Sequence, residues 1–309
     1  MQSQTTSRIL MIRPVQFGFN QQTAESNAFQ NAELAEETKE TAQEVALREF
    51  DDMVRHLTAA GVDVMVYDDT ADPHTPDSVF PNNWVSFHFS GKVILYPMQA
   101  ENRRAERRQD IIDDLATRFI VGSVVDLSAY EKEGKFLEGT GSLVLDRMNR
   151  VAFACLSPRT DAEVLAAFAE KTGYRAVAFH AVDAGGKPVY HTNVVMCIGD
   201  TFAVICLQAI PDIDERLAVR QELETLGKRV VEITPEQMAS FAGNMLLVNT
   251  QKGQKLLVMS DQAYKSLTDK QIDVLDDYAR IMHFDLSMIE GNGGGSARCM
   301  MCEVHLPLK

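Results

Sequence analysis

No apolar run in this chain approaches the roughly 18 residues needed to span a bilayer, so no membrane partner is expected. The opening residues Met1 to Arg8 are polar and carry no hydrophobic signal core, and a cytoplasmic location is expected. Lysine and arginine never run longer than two, and acidic residues outnumber them 44 to 30, a formal net charge of −14. A nucleic-acid binder needs a basic face, so nucleic acid is not the expected partner. The pairs Arg103-Arg104 and Arg107-Arg108 fall in a helical pattern and read as a solvated face. Cysteine is sparse and odd in number: Cys155, Cys197, Cys206, Cys299 and Cys302 do not suit a disulfide framework. Most read as small buried hydrophobes. No Gly-x-x-x-x-Gly-Lys-Ser/Thr loop occurs, and Gly291-Asn292-Gly293-Gly294-Gly295 has no dinucleotide-binding setting. Neither cofactor nor metal is expected. The histidines other than His191 (His56, His74, His88, His180, His283 and His305) show no ligand spacing and are assigned no role.

A repeat is present. Five segments join a polar or glycine-rich turn to a run of β-branched and apolar residues, marked by Asn83, Glu138, His191, Asn244 and Cys299. The markers are spaced 55, 53, 53 and 55 residues apart. After most of them come a partner strand, a helix-period stretch and a closing strand, as in Val151 to Cys155, Asp161 to Lys171 and Arg175 to Phe179. Near the N-terminus, Ile9 to Ile12 reads as a strand, Glu37 to Ala60 as one long amphipathic helix stopped by Gly61, and Val62 to Tyr67 as another strand. The first strand completes the last unit. Five ββαβ units of equal size pack around a common axis, and such an array needs every unit to close. No Pro/Gly/Ser-rich linker divides the chain, so residues 1–309 are expected to form one α/β domain.

Radial packing brings equivalent turns together, and here they supply a thiol, an imidazole, a carboxylate and carboxamides. That set contains a nucleophile, a proton shuttle and an orienting anion. Cys299 follows Gly293-Gly294-Gly295-Ser296-Ala297-Arg298. Glycines allow close backbone approach, and Arg298 with nearby N–H groups would depress the thiol pKa. A cysteine alone would read as structural; convergence with His191 makes Cys299 the candidate nucleophile. His191 is the candidate acid–base, and Glu138, between apolar residues and glycines, suits a partly buried catalytic role. Cys299 and Cys302 form a C-x-x-C, but no second pair supports zinc and no βαβ setting supports a redox pair. On a strand they would face opposite ways.

The segments Phe136-Leu137-Glu138-Gly139-Thr140-Gly141, Leu156-Ser157-Pro158-Arg159-Thr160, His191-Thr192-Asn193 and Gly293 to Met300 resemble those of arginine deiminases, dimethylargininases and amidinotransferases. The likeness covers nearly the whole chain. It implies the pentein fold, a five-bladed αβ propeller of ββαβ repeats. The stretch Pro76-Asp77-Ser78-Val79-Phe80-Pro81-Asn82-Asn83-Trp84 is most similar to the citrulline-utilisation hydrolase branch. The resemblance implies that Cys299 attacks a guanidino or ureido carbon, that His191 moves the proton and that Glu138 holds the substrate nitrogens. It implies that Arg159 binds an α-carboxylate and that Asp77 and Phe80 line the channel, with Arg298 also among the substrate-binding residues.

One departure bears on the substrate. Arginine deiminases carry acidic residues where Asn83 and Asn193 stand. A buried guanidinium facing one carboxylate instead of three would be undercompensated by several kcal/mol. A neutral ureido group suits an amide-lined pocket better, so citrulline, cleaved to ornithine, ammonia and carbon dioxide, is the expected substrate. The alternatives are a guanidinium hydrolase or amidinotransferase, which share the covalent intermediate, and a ribosome-binding propeller without catalysis, which would lack the Cys/His/Glu set.

Overall fold

The computed structural model describes residues 3–309. Its strands, in chain order, are β1 (Arg8–Arg13), β2 (Asp63–Asp68), β3 (Val85–Phe87), β4 (Lys92–Leu95), β5 (Ser123–Asp126), β6 (Val144–Asp146), β7 (Val151–Cys155) and β8 (Arg175–Phe179). They continue with β9 (Met196–Ile198), β10 (Phe202–Ile205), β11 (Arg229–Glu232), β12 (Leu246–Asn249), β13 (Lys255–Ser260), β14 (Arg280–Phe284) and β15 (Cys302–Glu303). They form five three-stranded sheets of one plan. A central strand pairs antiparallel with a short buried strand on one side and parallel with a strand on the other, as β7 does with β6 and β8. The parallel pairing requires a crossover helix, which is why each unit reads ββαβ. The fifth sheet, β15-β1-β2, joins the two ends of the chain.

The crossover helices are cut by local chemistry. Asp161 caps the helix Ala162–Thr172 by accepting from the Glu163 and Val164 amides, and Gly173 ends it at φ 78°. Asp212 caps Ile213–Thr225 in the same way. The apolar faces bury against the sheets in wedges between neighbouring blades. One wedge joins Leu10 and Ile12 of β1, Trp84, Val85 and Phe87 around β3, Ile111 and Leu115 of the helix Gln109–Arg118, and Cys302, Val304 and Leu306 near the C-terminus.

Two expectations are corrected. The helix expected from Glu37 to Ala60 starts later, at Ala42, and ends at Ala59, with a separate short helix, Ala32–Glu37, before it. Thr38, whose hydroxyl donates back to Leu34 O at 2.7 Å, and Thr41 lie at the break, where threonine competes with the helical backbone. The inward turns are also not simple strand entries. Glu138 and His191 each immediately precede a single helical turn, Gly139–Ser142 and Thr192–Val195, and Cys299 lies within another, Ala297–Met300. Cys299 is therefore helical and only Cys302 is on a strand. Val194 and Val195, in the apolar β-branched run that follows the His191 turn, are helical too.

Candidate active site

Those single turns carry the chemistry inward. Glu138 is 1 % exposed, and its Oε2 lies 2.8 Å from His191 Nε2. A carboxylate only accepts, so Nε2 carries the proton and Nδ1 is the lone-pair nitrogen. Burial alone would raise the Glu138 pKa, but Arg159, the His191 hydrogen bond and Arg103 outweigh it and hold it far below the usual carboxylate range. Burial lowers His191 to about 4, with Glu138 opposing and Arg159 and Arg103 adding to the drop. The imidazole is therefore neutral at physiological pH and poised as a base. Gly141 permits this closeness. A Cβ there would lie 2.5 Å from Asn83 Nδ2 and 2.7 Å from His191 Nδ1.

The Cys299 sulfur receives two amide donors, Asn193 Nδ2 at 3.4 Å and Asn244 Nδ2 at 3.3 Å. The Arg298 backbone N–H donates to Asn244 Oδ1 at 3.0 Å, which fixes that carboxamide with its nitrogen toward sulfur. Burial pushes the Cys155, Cys197 and Cys302 thiols up to about 12. Cys302 donates to Val85 O at 3.5 Å.

Phe80, Asp77, Asn83, Arg159, His191 and Cys299 line one small cavity of about 10 Å³, roughly the space of one water. Phe80 packs under the glycine loop, where a Cβ on Gly295 would meet its ring at 2.9 Å and Cys299 Cβ at 3.3 Å. Asp77 accepts from Asn20 Nδ2 at 2.7 Å through Oδ2, while its buried Oδ1 has no partner. Burial raises its pKa against the pull of Arg103, Asn20 and Arg159. Arg159 lies over the Tyr190 ring, 4.9 Å from its centroid, and donates to Thr23 O at 3.0 Å and Ser26 Oγ at 2.8 Å. Asn27 Nδ2 donates to Gly294 O at 3.2 Å and Gln30 Nε2 to Asn292 O at 3.0 Å. The segment 20–31 thus closes the site.

The structure departs from the sequence reading at two arginines. Arg298 is placed apart from the others: its Nη1 donates to Met301 O at 2.8 Å, its Nη2 lies 2.6 Å from Glu303, and it lines a different cavity with Gln4 and Leu145. Successive helical residues point about 100° apart, so a turn that aims Cys299 at the cavity aims Arg298 away from it. Arg103 is not a solvated residue. It is 2 % exposed, chelated by Glu106 at 2.8 and 2.9 Å, and its Nη1 donates to Asn83 Oδ1 at 3.0 Å. Asp77 lies 3.6 Å from it and Glu138 3.8 Å. Three buried acids, Asp77, Glu106 and Glu138, are thus set against Arg103 and Arg159. The available signal was Glu106, three residues after Arg103 and one turn away.

A family model described as N,N dimethylarginine dimethylhydrolase, eukaryotic, matches residues 13–306. No curated protein matches the chain. Among solved structures, the product-bound N-terminal domain of ArgZ, an arginine dihydrolase from the ornithine-ammonia cycle in cyanobacteria, is similar with TM-score 0.76 and 16 % identity over 97 % of this chain and 98 % of that one. AgrE in complex with L-arginine is similar with TM-score 0.76 and 15 % identity, over 98 % of this chain and 40 % of AgrE. A dimethylarginine dimethylaminohydrolase adduct follows with TM-score 0.63 and 18 % identity, over 97 % and 99 %. At such identities the structural likeness speaks to the fold.

Proposed function

Because the chain belongs to the N,N-dimethylarginine dimethylhydrolase family of guanidino-modifying penteins, and is thus a carbon–nitrogen hydrolase, we propose that it cleaves the ureido group of citrulline to ornithine, ammonia and carbon dioxide. The observation that carries the substrate class is the polarity of two carboxamides. Asn83 gives its oxygen to Arg103 and leaves Nδ2 buried without a partner; Asn193 gives Nδ2 to sulfur and leaves Oδ1 without one. A ureido group offers one acceptor oxygen and one NH₂ donor, one for each amide. A guanidinium offers only donors and would set an N–H against Asn83 Nδ2. Leaving a buried donor unpaired costs about 1–3 kcal/mol.

In this reading His191 Nδ1 takes the Cys299 proton while Glu138 steadies Nε2–H. Sulfur bonds to the ureido carbon, the C=O electrons move to oxygen, and Asn83 Nδ2 donates to the charge that forms. The imidazolium passes its proton to the departing side-chain nitrogen, the C–N bond breaks, and ornithine leaves an S-carbamoyl-Cys299. Water, deprotonated by His191, attacks the carbamoyl carbon and the sulfur leaves as thiol. The released carbamic acid falls apart to ammonia and carbon dioxide. Arg159 receives the α-carboxylate through its planar fork, and Asp77 Oδ1 receives the α-ammonium.

A guanidino substrate, arginine or dimethylarginine, is the second reading. The family itself favours it, and so do the buried carboxylates Asp77 and Glu138 near the cavity. Purified protein offered citrulline, arginine and dimethylarginine separates the two. Ornithine and ammonia from citrulline, with a carbamoyl mass on Cys299 after quenching, is the expected result. Fast arginine turnover with inert citrulline would overturn it. Cys299→Ser should lower turnover by at least about 10⁴-fold, as loss of a nucleophile does elsewhere, and abolish the adduct.

A further inference from the structure

Tyr190 is buried in the wall of the catalytic cavity and meets four separate parts of the site. We propose that it is a positioning residue that ties recognition of the amino-acid end of the substrate to the loop before the nucleophile: its ring sets the plane of Arg159, and its hydroxyl holds Gly294. The inference rests on Arg159 receiving the α-carboxylate, which the ureido and guanidino readings share.

The hydroxyl donates to Gly294 O at 2.5 Å. Burial pushes the phenol pKa up and Cys299 adds to the rise, so the proton stays on at neutral pH. Asn27 Nδ2 of the closing segment donates to the same carbonyl at 3.2 Å. A carbonyl oxygen has two lone pairs, and here both are used. Gly294 lies between two other glycines, so no side chain anchors this stretch and bonds to its backbone set its place. Two residues on, Ser296 O accepts from the Cys299 N–H at 2.9 Å and opens the turn that carries the sulfur. The phenol thus holds the loop from which the nucleophile turn starts.

The ring serves the other end of the substrate. The Arg159 guanidinium lies over it, 4.9 Å from its centroid. Arg159 Nε and Nη2 both donate to Ser26 Oγ, at 3.1 and 2.8 Å, and Nη2 also donates to Thr23 O. Those bonds fix one edge of the fork. The aromatic face fixes the plane in which the remaining edge meets a carboxylate. Phe29 of the closing segment meets the Tyr190 ring edge-on, with centroids 5.9 Å apart at 67°, and the His191 ring stands 4.6 Å away. One side chain thus touches the closing segment, the carboxylate-binding arginine, the base and the glycine loop. A residue that only filled the core would need no hydroxyl, since phenylalanine would occupy the same place.

The test sets turnover against binding of ornithine, which carries the amino-acid end but no group to cleave. Folding is checked by circular dichroism. Tyr190→Phe keeps the ring and loses only the hydroxyl. Its single-turnover rate on citrulline should fall about 3- to 10-fold, the weight of one neutral hydrogen bond, with Kd for ornithine unchanged. Tyr190→Leu loses the aromatic face as well, and its Kd for ornithine should rise about 10- to 30-fold, as for a desolvated cation taken off a ring. Tyr190→Met reads the same loss if the leucine variant does not fold. A merely structural tyrosine would lower turnover and binding together in every variant, and that outcome would overturn the inference. So would Tyr190→Phe with the wild-type rate, or loss of the ring with the wild-type Kd. A wild type that cleaves arginine and ignores citrulline would correct the substrate alone, and the same split would then be read on arginine. A wild type that does not bind ornithine would remove the α-carboxylate role of Arg159, and this inference with it.

Discussion

At the residue scale the site is governed by groups that hold other groups. Glu138 fixes the His191 tautomer, Arg298 N–H fixes Asn244, and Arg103 fixes Asn83. Cys299, His191 and Glu138 could be read from the repeat because they are unusual residue types recurring at one position of each unit. Arg103 could not, because an arginine in Glu-Asn-Arg-Arg-Ala-Glu looks like any solvated helical face until its neighbours are placed. Arg298 misled for the converse reason: adjacency in sequence to Cys299 is divergence on a helical turn. The depressed His191 predicts a pH profile. The base must be unprotonated, and its folded pKa is lowered to about 4 from 6.5. The acid limb of kcat/KM that His191 sets should therefore lie near pH 4, with protonation below it stopping the reaction. A limb that His191→Asn removes but that lies near pH 6.5 would show that the imidazole is not desolvated as described.

At the element scale, four-residue helices decide where the functional side chains point. A helix that short cannot persist alone, so its sequence carries no helical signal, and Val194-Val195 reads as strand. Tertiary contact imposes the turn: a Cβ on Gly243 would lie 2.1 Å from Val194 O. The segment 20–31 was equally illegible, since it has no counterpart in the repeat. Its geometry predicts a closing element. A Cβ on Gly294 would lie 2.3 Å from Asn27 Nδ2, so glycine there lets the segment seat. A cavity of about 10 Å³ is far too small for an amino acid, and entry requires this segment to lift. Asn27→Ala removes its bonds to the Gly293 and Gly294 carbonyls. At about 1 kcal/mol per bond, the variant should lose roughly 5- to 30-fold in kcat/KM. Hydrogen exchange on Cys299→Ser should show residues 20–31 gaining protection when citrulline is added. Equal exchange with and without substrate would count against a moving closure.

At the scale of the whole molecule, the near-constant spacing made the architecture legible, because five units must obey one plan if they share an axis. What the spacing could not say is how much depends on closure. The last sheet takes β15 from the end of the chain and β1 from its start, with Ile9 opposite Glu303 and Leu10 opposite Cys302. Beyond β15, Leu306 is fully buried in the wedge shared with Trp84, Val85, Phe87 and Ile111. The two ends are thus sealed onto the first blade, and residues 3–309 should behave as one cooperative unit. Leu306→Ala should cost about 2–5 kcal/mol, the range for emptying a buried leucine site. It should shift a single urea transition to lower concentration without splitting it. Deleting residues 302–309 removes the seal altogether and should abolish the transition, since each blade buries its apolar face only against its neighbours. A variant that melts in two steps, with one step at the wild-type midpoint, would show that part of the ring folds independently and that the blades are not one domain.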